Sequence, residues 1–231
     1  MVPAGPPEAT DESGIFDPLK DGLYFFENYL TIRTGHVRQK ITQQGKSAMR
    51  ISEDRYDRDR QRLDLALRFL THEARTQTIR VWTGLSDDRI RKLYRSYLGR
   101  AACYVPRHRG KSPHQAAYFT RSLRIQQETA VLASFFALGG LVPAEPSPAA
   151  AAALPDIARG DSLCTAFETY TIMVPTAAIS FEYGVFLANC LARGDQLRLG
   201  RCCECGGIIV VERFPVREKR CHHCSVAAQR G

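Results

Sequence analysis

Five of the eight cysteines fall in one short stretch, RCCECGGIIVVERFPVREKRCHHC, residues 201–224. Cys202 and Cys205 are separated by two residues, and so are Cys221 and Cys224, fifteen residues further on. Two residues between thiolates let a tight turn aim both sulfurs at one point, and Gly206 and Gly207 permit the positive φ such a knuckle needs. Two knuckles together supply four soft ligands, a set that suits tetrahedral zinc. Cys203, His222 and His223 are alternative ligands, but only by giving up the symmetric spacing. Four protein ligands leave no open position, so the expected role of one zinc ion per chain is structural.

Other chemistry finds less support. A thioredoxin-like pair needs one Cys-x-x-Cys at a helix start inside a βαβ pattern, and a zinc deaminase needs a His-x-Glu; neither pattern occurs. Cys103, Cys164 and Cys190 stand singly in apolar stretches and read as small buried hydrophobes. Phosphate loops, nucleophile elbows and His-Glu-x-x-His are absent from the sequence, so an enzyme is the least expected class.

The elements that must position the knuckles read as helices. The 231 residues are 44% hydrophobic, enough for a sizeable core. The opening MVPAGPPEATDESGIFDPLKDG is acidic and has no apolar signal core, and the longest apolar run, AVLASFFALGGLV, is too short to span a bilayer. The expected compartment is the cytoplasm, where clustered cysteines bind metal more often than they pair. The expected fold is mainly α: a helical bundle with a helix-turn-helix-like segment and a C-terminal four-cysteine zinc ribbon. Residues 1–31 form an acidic arm, 32–194 a helical domain with a basic region at 60–124, and 195–231 the ribbon. Within the ribbon, GIIVVERF reads as a strand, with a second strand returning after Pro215 toward Cys221.

Charge is unevenly spread. Residues 1–31 carry one basic and six acidic side chains, residues 32–124 carry twenty-two against eight, and residues 125–231 nine against ten. The whole-chain +8 therefore comes from the middle, as expected of a polyanion-binding face. There, Leu63, Leu67, Leu70 and Ala74 mark a helical stripe. Gly84 stops that helical region, and Ser86 with Asp87 and Asp88 caps the next helix. The new helix turns Ile90, Leu93, Tyr94 and Tyr97 inward and leaves Arg89, Arg91, Lys92 and Arg95 on other faces. Helix, glycine turn, basic helix is the outline of a helix-turn-helix, although Arg80 occupies the position four before the glycine where a small residue is common. The loop-like segment after it carries Arg107, Arg109 and Lys111, placed to touch phosphates, while the helix residues reach base edges. Further on, IQQETAVLASFFAL reads as a buried helix. Residues 143–162 read as a Pro/Ala-rich insertion, loop-like by composition. Two more helices follow, whose Phe167, Tyr170, Phe181 and Phe186 read as core or subunit contact.

The order of these parts resembles the FlhC family, the zinc-containing subunit of the FlhD/FlhC activator of bacterial flagellar genes. The resemblance rests on LTHEARTQTIRVWTGLSDDRIRKLYRSYLGR, SFEYGVFLANCLARGDQLRLGRCCECGG and the closing CHHC. It implies that Cys202, Cys205, Cys221 and Cys224 hold zinc. It further implies a heterohexamer with FlhD that binds promoter DNA and helps recruit RNA polymerase to flagellar genes. The N-terminal extension and the Pro/Ala segment depart from the family pattern, and the chain stops seven residues after Cys224. The alternative is a zinc-stapled protein-interaction or RNA-binding module that regulates other genes without FlhD.

Overall fold

Residue types at the helix starts explain most of the architecture. A computed structural model describes residues 51–98, 105–108, 110–214 and 219–230, all within one unit, Arg50–Gly231. The acidic arm and the first basic residues lie outside these, as do Cys103 and Arg109. Helix α1 (Ile51–Thr71) leads through a turn at Glu73 (φ 60°) to α2 (Thr76–Thr83) and then α3 (Asp87–Tyr97). A 3-10 turn (Ala116–Thr120) precedes α4 (Leu123–Leu138), and a short α5 (Pro148–Ala152) precedes α6 (Ile157–Met173) and α7 (Phe181–Arg193). Ser122, Ser147 and Asp156 each accept a hydrogen bond from a first-turn N–H of α4, α5 and α6 respectively. The fold is thus mainly helical, and no helix among the described residues is long and apolar enough to cross a membrane.

The core is built mainly from α1, α2, α3, α4, α6 and α7. Phe69 meets Trp82 and Phe181, and Phe167 meets Tyr170 and Phe181. Three of the four aromatics read as core or subunit contact, Phe167, Tyr170 and Phe181, are buried within the chain, and Phe186 is half-buried against them. Along α1 the stripe is rotated from the one expected: Leu65, Ala66, Phe69 and Leu70 are the buried residues, while Leu63 and Leu67 are half-covered. Ala74 is buried but lies beyond the helix.

Buried and half-buried polar groups hold the helices in register. Arg68 of α1 reaches α6, donating to Glu168 at 2.7 and 2.8 Å and to Asp161 Oδ1 at 3.2 Å. Burial alone would raise the Glu168 pKa, but hydrogen bonds from His72 and Arg68 outweigh it and hold the carboxyl at about 2. Glu128 accepts from the Tyr170 hydroxyl (2.6 Å), the Ala178 N–H (2.8 Å) and Arg124 (2.9 Å). Glu182 accepts from the Arg75 N–H and Thr78. These carboxylates are fully partnered and act as structural pins.

After α7, Gly194 (φ 67°) turns the chain into β1 (Leu197–Arg201), which pairs antiparallel with β2 (Ile208–Glu212) in the register Leu197↔Glu212 to Arg201↔Ile208. The observed partner of β2 thus precedes the first knuckle, and the strand expected to return after Pro215 begins on residues 215–218, which lie outside the described ones. Gly200 allows this pairing, because a Cβ there would sit 3.1 Å from Val211 Cγ2. The chain ends in α8 (His222–Arg230).

The segment 143–162 is not a loop. It contains α5 and the start of α6, and it packs against α7: the Ser147 N–H donates to Ala192 O at 2.8 Å, and Pro146 lies against Gly194. Alanine-rich composition hid a helix whose start is set by Ser147 and Pro148.

Candidate metal centre and the basic face

The β1–β2 hairpin delivers the first knuckle. The Cys202 N–H donates to Gly207 O (2.8 Å) and the Gly206 N–H returns to Cys202 O (2.9 Å), a tight loop closed by Gly206 in the left-handed region (φ 70°). The second knuckle opens α8. The Cys221 N–H points at the Cys202 sulfur (3.2 Å), and the Cys224 N–H points at the Cys221 sulfur (3.4 Å). The sulfurs of Cys202, Cys205, Cys221 and Cys224 all lie within 4.8 Å of one another, so the four could hold one metal ion. Cys203, His222 and His223 stand outside this group.

The electrostatics of the cluster suit a cation. N–H groups of Cys205 and then Cys221 aimed at its sulfur pull the Cys202 thiol down to about 6. At Cys205 the Gly207 N–H favours the thiolate, but the crowding sulfurs of Cys202 and Cys221 raise the thiol overall. Cys224 is pushed up to about 12, first by its contact with the Cys221 sulfur. One thiolate is stabilised and its neighbours resist ionising beside it; a divalent ion removes that conflict by neutralising the set. The isolated cysteines differ: burial pushes the Cys164 thiol up to about 12 and Cys190 up to about 11, so both are inert core residues.

The basic region is more constrained than its charge suggests. Gly84 (φ 69°) closes α2, and Ser86 Oγ accepts from the Arg89 N–H at 3.5 Å to start α3. Ile90 and Leu93 are buried and Tyr94 is half-buried, but Tyr97, expected inward, is 60% exposed. The helix ends there, and Leu98 takes the buried position instead. Arg89 pairs with Asp59 of α1 (3.2 Å) and Arg91 with Asp88 (3.0 Å). Lys92 and Arg95 are exposed, the latter donating to Arg91 O at 3.4 Å. In the following segment Arg107 donates to Thr76 Oγ1 and lies 5.1 Å over the Tyr94 ring, while His108 meets Glu73 at 2.6 Å. These contacts strap residues 105–108 to α2 and α3. Lys111 is exposed beyond the strap.

Sequence reasoning missed that Asp59 meets Arg89, and read Asp88 as a cap residue rather than as the partner of Arg91. Asp59 lies thirty residues before its partner, and only the folded α1–α3 contact reveals it. The chain matches no family model and no curated protein.

Proposed function

We propose that this chain is a DNA-binding subunit of a transcription activator of the FlhC type. In this reading it works with FlhD, binds promoter DNA, helps recruit RNA polymerase and switches on flagellar genes. One zinc ion held by Cys202, Cys205, Cys221 and Cys224 fixes the C-terminal segment and takes no part in bond-making. The observation that carries the reading is the capped helix α3 after the Gly84 turn, with its cations outward and the strapped basic segment beside it. Lys92 and Arg95 are the helix cations with no carboxylate partner among the described residues, and are the first candidates for base or phosphate contact.

The test is co-expression with the host's FlhD, then titration of the complex with promoter DNA at several salt concentrations. Affinity falls steeply with salt if phosphates are neutralised, and Lys92→Ala with Arg95→Ala lowers the slope by about 2 where both contact phosphates. If neither α3 nor the segment with Arg107 and Lys111 affects affinity or slope, this is not the DNA face. A second reading, a zinc-stapled module that binds acidic protein or RNA without FlhD, is favoured by the Arg89–Asp59 and Arg91–Asp88 pairs, which withdraw two cations from the helix. Binding of RNA or an acidic protein by the chain alone, without promoter preference, would select it.

A further inference from the structure

The β hairpin has an open side. The Cys202 N–H donates to Gly207 O and the Arg213 N–H to Gln196 O, so residues 207, 209, 211 and 213 turn their backbone groups toward β1. Ile208, Val210 and Glu212 then point N–H and C=O the other way, and among the described residues nothing hydrogen-bonds to them there. A cleft of about 440 Å³ runs along this edge. Gln126, Gln127, Ala130, Val131 and Ser134 of α4 line one wall, and Lys219, Arg220, His222 and His223 line the other.

The two faces of the sheet fix which side chains a third strand would need. Val210 packs toward the helical core, whereas Ile209 and Val211 pack with Cys202, Cys221 and Cys224. A strand added at the β2 edge alternates in the same way. One set of its side chains lies toward α4, where Ala130 and Val131, with Ile208 and Val210 of β2, stand among Gln126, Gln127 and Ser134. The other set lies toward the knuckle, where the cleft is cationic. Glu212 is the one carboxylate among the described lining residues, and Arg220 is engaged by Glu204 at 2.8 Å. His222 Nδ1 on the cationic wall is buried with no hydrogen-bond partner, a polar atom still to be satisfied.

We infer that the free edge of β2 takes an extended segment of a partner protein in which apolar and acidic residues alternate, added as a third strand. The backbone edge supplies affinity through N–H and C=O pairing, and the split walls supply specificity. A nucleic acid would meet the cations but offers no matching row of backbone donors and acceptors.

The experiment is residue-resolved amide exchange by NMR on the full chain purified with zinc, with the blocked hexapeptides Val-Glu-Val-Glu-Val-Glu and Val-Lys-Val-Lys-Val-Lys as probes. In the free chain the Val210 and Glu212 amides exchange freely. The acidic peptide slows them at least tenfold, the basic peptide leaves them unchanged, and Lys219→Glu with His223→Glu weakens the acidic peptide at least tenfold. Amides already protected in the free chain would mean that the edge is covered by the chain itself, and the inference falls. It falls equally if both peptides bind alike, if neither binds, or if duplex DNA at low salt protects these amides and the acidic peptide does not.

Discussion

The helical body and the cysteine knuckle are held by different forces. The body buries Leu65, Phe69, Trp82, Ile90, Leu132, Phe136, Leu163 and Tyr170 nearly completely, and pins its helices with partnered carboxylates. Each such apolar side chain contributes about 1.5–3 kcal/mol, summed over a contiguous core. Among the described residues the knuckle's own cluster is Cys202, Ile209 and Val211, with Cys221 and Cys224 at its margin. So small a core does not hold a fold, whereas a zinc ion held by the four sulfurs would contribute on the order of 10 kcal/mol. With that ion in place, two regions in one unit would stand on independent supports.

Metal removal tests that independence most severely. A strong chelator, or Cys221→Ser, should abolish binding of one zinc per chain and melt the hairpin end and α8, while far-UV circular dichroism retains the body's helical signal. A single cooperative collapse of all helices would show the supports to be coupled, and zinc content unchanged in the Cys221→Ser protein would remove the metal from the account. The converse change is Phe69→Ala, which leaves a cavity between Trp82 and Phe181 and should cost roughly 3–5 kcal/mol of stability. Denaturant titration measures that loss, and metal analysis should still find full zinc.

A subtler separation comes from pH. The Glu168 carboxyl is held at about 2, below its ordinary 4.5, so the stability it contributes is present above about 4.5 and is lost as pH falls toward 2. Allowing for solvent screening, Glu168→Gln should cost roughly 2 kcal/mol at neutral pH and flatten the acid limb of the body's stability curve. An acid limb unchanged by the substitution would place the sensitivity elsewhere. The smallest effect belongs to the α3 cap: Ser86→Ala should cost about 0.5–1 kcal/mol, read as a lower melting temperature with zinc content untouched.

Legibility in the sequence followed the range of each interaction. The knuckles were readable because ligand geometry is local, two residues between sulfurs, and the glycine that closes the turn stands beside them. The start of α3 was readable at Ser86 for the same reason, whereas the sequence reading begins α4 only at Ile125 and passes over Ser122, which caps it. The partner of β2 was not readable: LRLGR is short and reads as the run-out of the helix before it, although Gly194 ends that helix, and its pairing shows only when Val211 is placed against Gly200. The pairing of Arg68 with Glu168 spans a hundred residues, and that of Arg89 with Asp59 thirty. Such contacts carry no spacing rule, so the excess positive charge looked freer than the fold leaves it.

The contact between Pro146 and Gly194 has a consequence for how this chain can be shortened. A Cβ at position 194 would lie 2.6 Å from Pro146 Cβ, and the backbone there is already left-handed. Position 194 is therefore closed to other side chains by its conformation and by its neighbour together. The Ser147–Ala192 hydrogen bond sits beside it, at the joint where α7 hands over to β1. A designer trimming the alanine-rich stretch as dispensable padding would be removing a wedge from a hinge. Closing the chain across residues 144–153 should leave the ribbon's metal chemistry intact yet let the whole ribbon swing, blurring its orientation toward anything the body holds.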